Sequence, residues 1–329
     1  MGRGRRYHRR HRHRPQYIRE RLGRHRLARA RDPDGLAVLP DGRLLVRDAP
    51  NSRITVFNDE GNYLEDWPLD GGFNTDRRFY TDAAGNSYVT ALLERGLAPW
   101  EWRFGVIRYS PDGVIGDTLP APMWNFEPAQ VTASRENNSS VRSVPFTPDV
   151  VWTFSPLGYL VGGLTADYRI DLFRRDAPVL RIERESLPVR VNPGEADERV
   201  RQITEGLRRQ YGSWRWNGPD VPATKPPFRE LFVRREGNVW VLVSSEGVPK
   251  MSTTEAKEEE ERSGDVVLRF GEPSSFDVFA PEGDYLGPVS APASFRVEPE
   301  PIALGDQVWA VTRDELDVPS IVRFKIVRP

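Results

Sequence analysis

The sequence predicts an all-β chain of repeated four-stranded antiparallel meanders, with one inserted α-helix. Two repeated patterns carry this. In the first, an aromatic residue is followed by three polar or turn residues and a Gly, as in Phe57-Asn58-Asp59-Glu60-Gly61, Tyr109-Ser110-Pro111-Asp112-Gly113 and Phe279-Ala280-Pro281-Glu282-Gly283. Phe173-Arg174-Arg175-Asp176-Ala177 follows suit with Ala in the last place. A terminal Gly lets the chain reverse where φ is positive, so each segment reads as a strand entering a tight turn. In the second pattern, a short apolar run, a turn and a β-rich run stand upstream of each hairpin. Examples are Leu36-Ala37-Val38, Pro40-Asp41-Gly42 and Leu44-Leu45-Val46, or Leu231-Phe232-Val233, Gly237-Asn238 and Val239-Trp240-Val241.

Strand, turn, strand, connection, strand, turn, strand is a propeller blade of roughly 40 residues before insertions. Five such units are readable, at about 33–69, 79–121, 144–185, 228–289 and 295–329. The order predicts a β-propeller of four-stranded blades over 33–329. Phe57, Tyr109, Phe173, Phe279 and Phe324 are expected at equivalent third-strand positions, buried between blades. The fifth unit ends after its third strand, Ser320 to Ile326. Propellers commonly close with a strand from the other terminus, which removes an exposed edge.

Residues 1–32 do not offer that strand. Thirteen of the 47 basic residues, all four His and only one acid, Glu20, lie within residues 1–31. The rest of the chain is therefore acidic by thirteen charges, although the formal net charge is −1. Three readings of this leader stand: an arm for nucleic acid or an acidic membrane, a solvated disordered segment, or a spurious translation.

One helix is predicted near 194–211. Asn192 serves as its N-cap, Pro193 opens the first turn and Glu195 completes a capping box. Val200, Ile203, Leu207 and Tyr211 follow at helical spacing, and Gly212 terminates. The polar face carries Arg199, Arg201, Arg208 and Arg209, and it reads as the solvated side of a packed helix or as an anion-binding face. The acidic run Glu255–Glu261 is expected to be a solvated loop.

Cys is absent, which excludes disulfides and thiolate chemistry. No His follows His25, so the propeller carries no imidazole ligand or general base. The sequence implies no cofactor and no catalytic residue. No apolar run reaches the ~18 residues of a membrane span, and no signal peptide is visible.

Function is expected on one face. First–second and third–fourth turns of a blade share one side, and these are short. The long excursions, 92–103, 122–143, 186–227 and 246–274, fall on the other. They carry Trp100, Trp102, Arg103, Trp124, Trp214, Arg215 and Trp216. Aromatic and Arg groups together suit a protein, peptide or carbohydrate ligand. The alternative is that the Trp side chains only pin their loops.

Asp34-Gly35-Leu36-Ala37-Val38, Asp41-Gly42-Arg43-Leu44-Leu45-Val46-Arg47-Asp48 and Asn51-Ser52-Arg53-Ile54-Thr55-Val56-Phe57 resemble an NHL-type repeat. Lys225-Pro226-Pro227-Phe228, Gly237-Asn238-Val239-Trp240-Val241, Phe276-Asp277-Val278-Phe279 and Tyr285-Leu286-Gly287 also resemble bacterial six-bladed propellers of this type. The resemblance runs over nearly everything from residue 33. It implies six blades and an exported protein. It also brings an alternative to a binding or scaffold role, a gluconolactonase-like or other propeller hydrolase or lyase; a second alternative, nucleic-acid binding through the basic leader, rests on the charge of that leader. Asp48, Asn51 and Arg53 are expected to order their loop rather than hold a metal. The acidic propeller argues against nucleic acid on its own surface.

Overall fold

The computed structural model describes residues 35–69, 78–97, 99–136, 138–314 and 318–327. Expectations for the leader 1–32 fall outside these residues. The fold is all-β, with the sheets of a β-propeller and, among the described residues, two α-helices.

One compact body holds blades 1 and 2. Blade 1 is β1 (Gly35–Val38), β2 (Leu44–Asp48), β3 (Arg53–Phe57) and β4 (Tyr63–Pro68), paired in sequence order. Blade 2 is β5 (Phe79–Thr81), β6 (Ser87–Glu94), β7 (Arg103–Tyr109) and β8 (Ile115–Pro120), again in order. Alternation places Leu45, Ile54, Val56, Val89, Ile107 and Tyr109 in one buried cluster between the two sheets. At the β2–β3 connection Asn51 Nδ2 donates to Asp48 Oδ2 at 2.7 Å and Arg53 Nε to the same oxygen at 3.2 Å. The Asp48 side chain is fully buried, and the triad orders the loop as expected.

The second body holds blades 3 to 5. It begins, past residue 121, with a hairpin, β9 (Gln130–Arg135) and β10 (Asn138–Ser143). Blade 3 is β11 (Val150–Ser155), β12 (Tyr159–Leu164), β13 (Arg169–Phe173) and β14 (Leu180–Glu183). The long connection that follows contains β15 (Val189–Arg190), α1 (Pro193–Tyr211) and β16 (Thr224–Lys225). Blade 4 starts with β17 (Phe228–Val233) and β18 (Val239–Val243). An excursion of β19 (Val248–Pro249), α2 (Thr253–Ser263) and β20 (Phe270–Gly271) intervenes. Blade 4 is completed by β21 (Ser275–Phe279) and β22 (Tyr285–Ser290). Blade 5 has three strands among the described residues, β23 (Ile302–Leu304), β24 (Gln307–Arg313) and β25 (Pro319–Lys325). Ile170, Leu172, Phe228, Leu231, Val241 and Phe279 form the core between blades 3 and 4. Trp240, Phe276, Phe295 and Val308 form the core between blades 4 and 5.

The five aromatic residues all fall on third strands. Phe57 pairs Leu44, Tyr109 pairs Ser87, Phe173 pairs Leu160, Phe279 pairs Val239 and Phe324 pairs Val308. Phe57, Tyr109 and Phe279 are buried, whereas Phe173 and Phe324 are half-buried. Gly61, Gly113 and Gly283 take φ of 83°, 76° and 96°. In blade 3 the positive φ sits one residue earlier, at Asp176 (57°), a residue type that tolerates it.

Two expectations are corrected. Five blades stand among the described residues, against the six implied by the resemblance. The run 255–261 is a helix rather than a loop. Ser252 accepts from the Glu255 backbone N–H at 3.2 Å while Glu255 accepts from the Ser252 N–H at 2.7 Å. Gly264 closes the helix in a left-handed conformation. Two well-formed caps outweigh the repulsion among its acids.

Candidate functional site at the elaborated end of blades 3 and 4

The α1 helix forms between the expected ends, but the expected capping box does not: the Glu195 carboxylate turns to Lys225 instead of back to Asn192. Asn192 accepts from the Gly194 N–H at 2.9 Å, and Gly212 ends the helix by donating its N–H to Arg208 O at 2.8 Å. Leu207 is buried, and Ile203 and Tyr211 pack beside it on Val131, Ala133 and Val144 of the β9–β10 excursion. The opposite edge of α1 buries two acids, Glu195 and Glu198. Each has a cation waiting. Lys225 Nζ lies 2.8 Å from Glu195 Oε2 and 3.1 Å from Glu272 Oε1, with the three side chains at 1%, 3% and 7% exposure. Glu198 accepts from the Arg269 backbone N–H at 2.8 Å and from its guanidinium.

The second helix is tied to the first. Arg201 donates to Glu260 at 2.9 Å, and Arg209 donates to Asp265 and, at 3.1 Å, to Gly264 O. The excursions 122–143, 186–227 and 246–274 are thereby joined into one cap on the second body. The Arg201 hydrogen bond holds the Glu260 carboxyl below its ordinary 4.5, with a smaller contribution from the Val267 backbone N–H. A depressed folded pKa means that the stabilisation is present above the unfolded value and is lost as pH falls through the folded one. In an Arg201→Ala protein, the NMR titration midpoint of Glu260 should rise toward the ordinary value. An unchanged midpoint would assign the effect to Val267 instead.

The aromatic residues singled out in the sequence fall into three groups. Trp214 Nε1 donates to Thr132 O at 2.8 Å, and Trp216 Nε1 is shared between Gly218 O and Pro219 O at 3.1 Å each. Their rings meet edge-on at 6.4 Å, with exposed Arg215 between them in sequence. Their polar ends therefore pin the loop. Trp124 packs edge-on against Phe173 at 6.1 Å. Its Cη2 lies 2.8 Å from where a Cβ on Gly162 would stand, so it too is built into blade 3. Trp100, Trp102 and Arg103 belong to the 92–103 excursion. Trp100 is 37% exposed, while Trp102 lies under the Arg95 guanidinium at 4.8 Å and Arg103 reaches Glu94 at 3.3 Å.

Two clefts flank this cap. A groove of about 460 Å³ runs along α1, lined by Asp197, Val200, Thr204, Arg208, Trp216 and Asp220 among others. Trp216 is the one predicted aromatic that lines it. A second cleft of about 610 Å³ lies where blade 3 meets the connection to blade 4, beside Tyr168, Arg169, Arg184, Leu187 and Lys225. At its wall Tyr168 and Tyr285 donate to the two oxygens of Asp277 at 2.7 and 2.8 Å, and Arg184 lies 2.9 Å from that carboxylate. Burial, and next the hydrogen bond to Asp277, push the Tyr168 phenol far above its usual range. It remains a protonated donor that orients Asp277. Sequence reading met Lys225, Asp277 and Tyr285 only as parts of repeat motifs and gave them no role in a site, because their partners come from distant blades and excursions.

Among the described residues there is no His, and no group of three or more His, Cys, Asp or Glu is arranged to hold a metal ion. No helix among them is long and apolar enough to cross a membrane.

The family model of the NHL repeat matches residues 31–57, the segment that contains β1 to β3. The chain thus carries an NHL repeat at its first blade, within the sheets of a β-propeller. No curated protein sequence matches it. Similar solved structures include a member of the DUF4221 family from Bacteroides vulgatus, at 8% identity over 85% of this chain and 74% of that one, TM-score 0.39. Virginiamycin B lyase from Staphylococcus aureus is similar at 10% identity, 91% and 86% coverage and TM-score 0.32. A putative gluconolactonase is similar at 13% identity, 89% and 75% coverage and TM-score 0.33. At this level of superposition none of them bears on ligand or activity.

Proposed function

We propose that the protein is a non-catalytic binding or scaffold propeller whose elaborated end recognises a peptide, protein or carbohydrate ligand. The observation that carries this is the cap on blades 3 and 4. Of three excursions from separate connections, 186–227 and 246–274 are fixed to each other by buried carboxylate–cation pairs. The third, 122–143, is held to α1 by apolar packing and by the Trp214 hydrogen bond. Together they present a groove with an indole in its wall. Rigid aromatic surface of this kind is suited to recognition at low entropic cost. Trp216, with Trp214 and Arg215, is the proposed core of the surface. Trp124 supports it from blade 3, and Trp100, Trp102 and Arg103 are proposed as a further contact on the 92–103 excursion.

Oligosaccharide and peptide arrays test the proposal, probed with the native protein and with Thr204→Arg. This substitution fills the groove from a half-buried position without touching the core. Ligands captured by the native protein should be lost to the variant. Equal capture by both proteins, or capture of no ligand by either, would refute a recognition groove on α1.

A further inference from the structure

Blade 5 differs from the other four. In blades 1 to 4 the third strand is flanked on both sides, by the second strand and by a fourth, β4, β8, β14 or β22. β25 pairs with β24 alone among the described residues. The third strands β3, β7, β13 and β21 each bury several residues, and β25 buries none. Ile321, near its middle, is 77% exposed.

The free edge has a definite parity. Ile326 donates its N–H to Asp306 O at 2.7 Å, and Val318 O accepts from the Asp314 N–H at 3.2 Å. Antiparallel ladders alternate, so Val318, Ser320, Val322, Phe324 and Ile326 aim their backbone groups at β24. Pro319, Ile321, Arg323 and Lys325 therefore aim theirs outward. Pro319, which has no N–H, falls in the outward set, where the β24 ladder loses nothing. The outward N–H and C=O groups of Ile321, Arg323 and Lys325 are a template for one more antiparallel strand.

Charge selects the strand that fits. The segment entering β25 is acidic, Asp314-Glu315-Leu316-Asp317, and its far end is basic, with Arg323, Lys325 and Arg328. A second β25 running antiparallel lays each basic end toward the acidic entry of the other. The ion pair of Lys325 with Asp306 is exposed and 3.6 Å long, so it competes little. We propose that two copies of the chain pair through β25, each supplying the fourth strand that blade 5 of the other lacks among the described residues. A two-fold axis through Val322 satisfies the parity. Ile321 then exchanges both backbone hydrogen bonds with Arg323 of the second copy, and Lys325 donates its N–H to Pro319 O of that copy. Val322 faces its own counterpart across the axis, and no two cations stand directly opposite. Such an interface is isologous, so association stops at the dimer. The α1 groove takes no part in it.

Sedimentation velocity over a wide range of concentration tests the proposal, on the native chain, Ile321→Pro, Arg323→Glu/Lys325→Glu and Ile302→Ser. The native chain should pass from monomer to dimer as concentration rises. Ile321→Pro removes an outward donor, keeps the β24 ladder and should abolish the dimer. The charge reversal makes both ends of the strand acidic and should weaken the dimer about tenfold or more. Ile302→Ser, at an exposed position of β23 away from the edge, should dimerise as the native chain does. If Ile321→Pro fails to fold, the charge reversal and disulfide trapping decide the matter. The chain has no Cys, so Val322→Cys should yield a covalent dimer on oxidation with glutathione disulfide. Ser320→Cys, placed opposite Phe324 of the second copy, should not. A dimer that both edge variants leave intact, or trapping by Ser320→Cys alone, overturns the proposal. A monomer at every concentration overturns it too, and slow amide exchange at Ile321 and Arg323 in that monomer would assign the edge to another segment of the same chain.

Discussion

Replacing Lys225 by Met is expected to destabilise the protein by ~3–5 kcal/mol, the cost of leaving buried charge without its partner. The ammonium lies within 3.1 Å of both Glu195 and Glu272, and all three side chains are more than nine-tenths buried. Its removal confronts two carboxylates in a site that water scarcely reaches. Arg229, 3.3 Å from Glu272, compensates one of them in part. Among the described residues Glu195 has no such second cation, so a Lys225→Met/Glu195→Gln protein should recover part of the loss. Urea denaturation of the two variants measures this. A loss below ~1 kcal/mol, the range of exposed pairs, would show that the cluster is hydrated rather than buried.

Truncating Phe279 to Ala should cost ~3–5 kcal/mol if the core cannot collapse around the gap. Its ring is 3% exposed and touches Tyr285 at 5.3 Å and Tyr168 at 6.4 Å between ring centroids. It sits in the core shared by blades 3 and 4. Phe324, at the equivalent place in blade 5, is only half-buried, so Phe324→Ala should cost clearly less. Denaturation of the two variants side by side tests the blade register. Equal costs would mean that the two positions are not packed as described.

The blades were legible because their signals are local. A Gly with positive φ behind an aromatic, and an apolar run on either side of a turn, are written within ten residues of one another. The α1 helix was legible for the same reason, since Asn192, Pro193 and Gly212 mark both ends. The α2 helix was written just as locally, in Ser252, Glu255 and Gly264, but its run of acids obscured the caps. The β9–β10 hairpin could not be read. Its strands are polar, and Val131 and Ala133 are turned inward only because α1 lies against them. The charged clusters were equally hidden. Lys225 pairs with Glu195 across 30 residues. Which arginines of α1 meet an acid depends on where α2 and Asp265 come to rest. Of the predicted site residues, Trp214 and Trp216 proved both to pin their loop and, for Trp216, to line a groove. Periodicity alone does not separate those two roles.

The claim that the cap is the recognition surface is tested most directly by hydrogen–deuterium exchange, with and without a ligand selected on the arrays. Bound ligand should slow exchange in residues 193–221 and 253–271, the helices and loops that frame the groove, and leave the short turns at 58–61, 110–113 and 280–283 unchanged. Protection confined to those short turns, with α1 and α2 unaffected, would place recognition at the opposite ends of the blades and contradict the account.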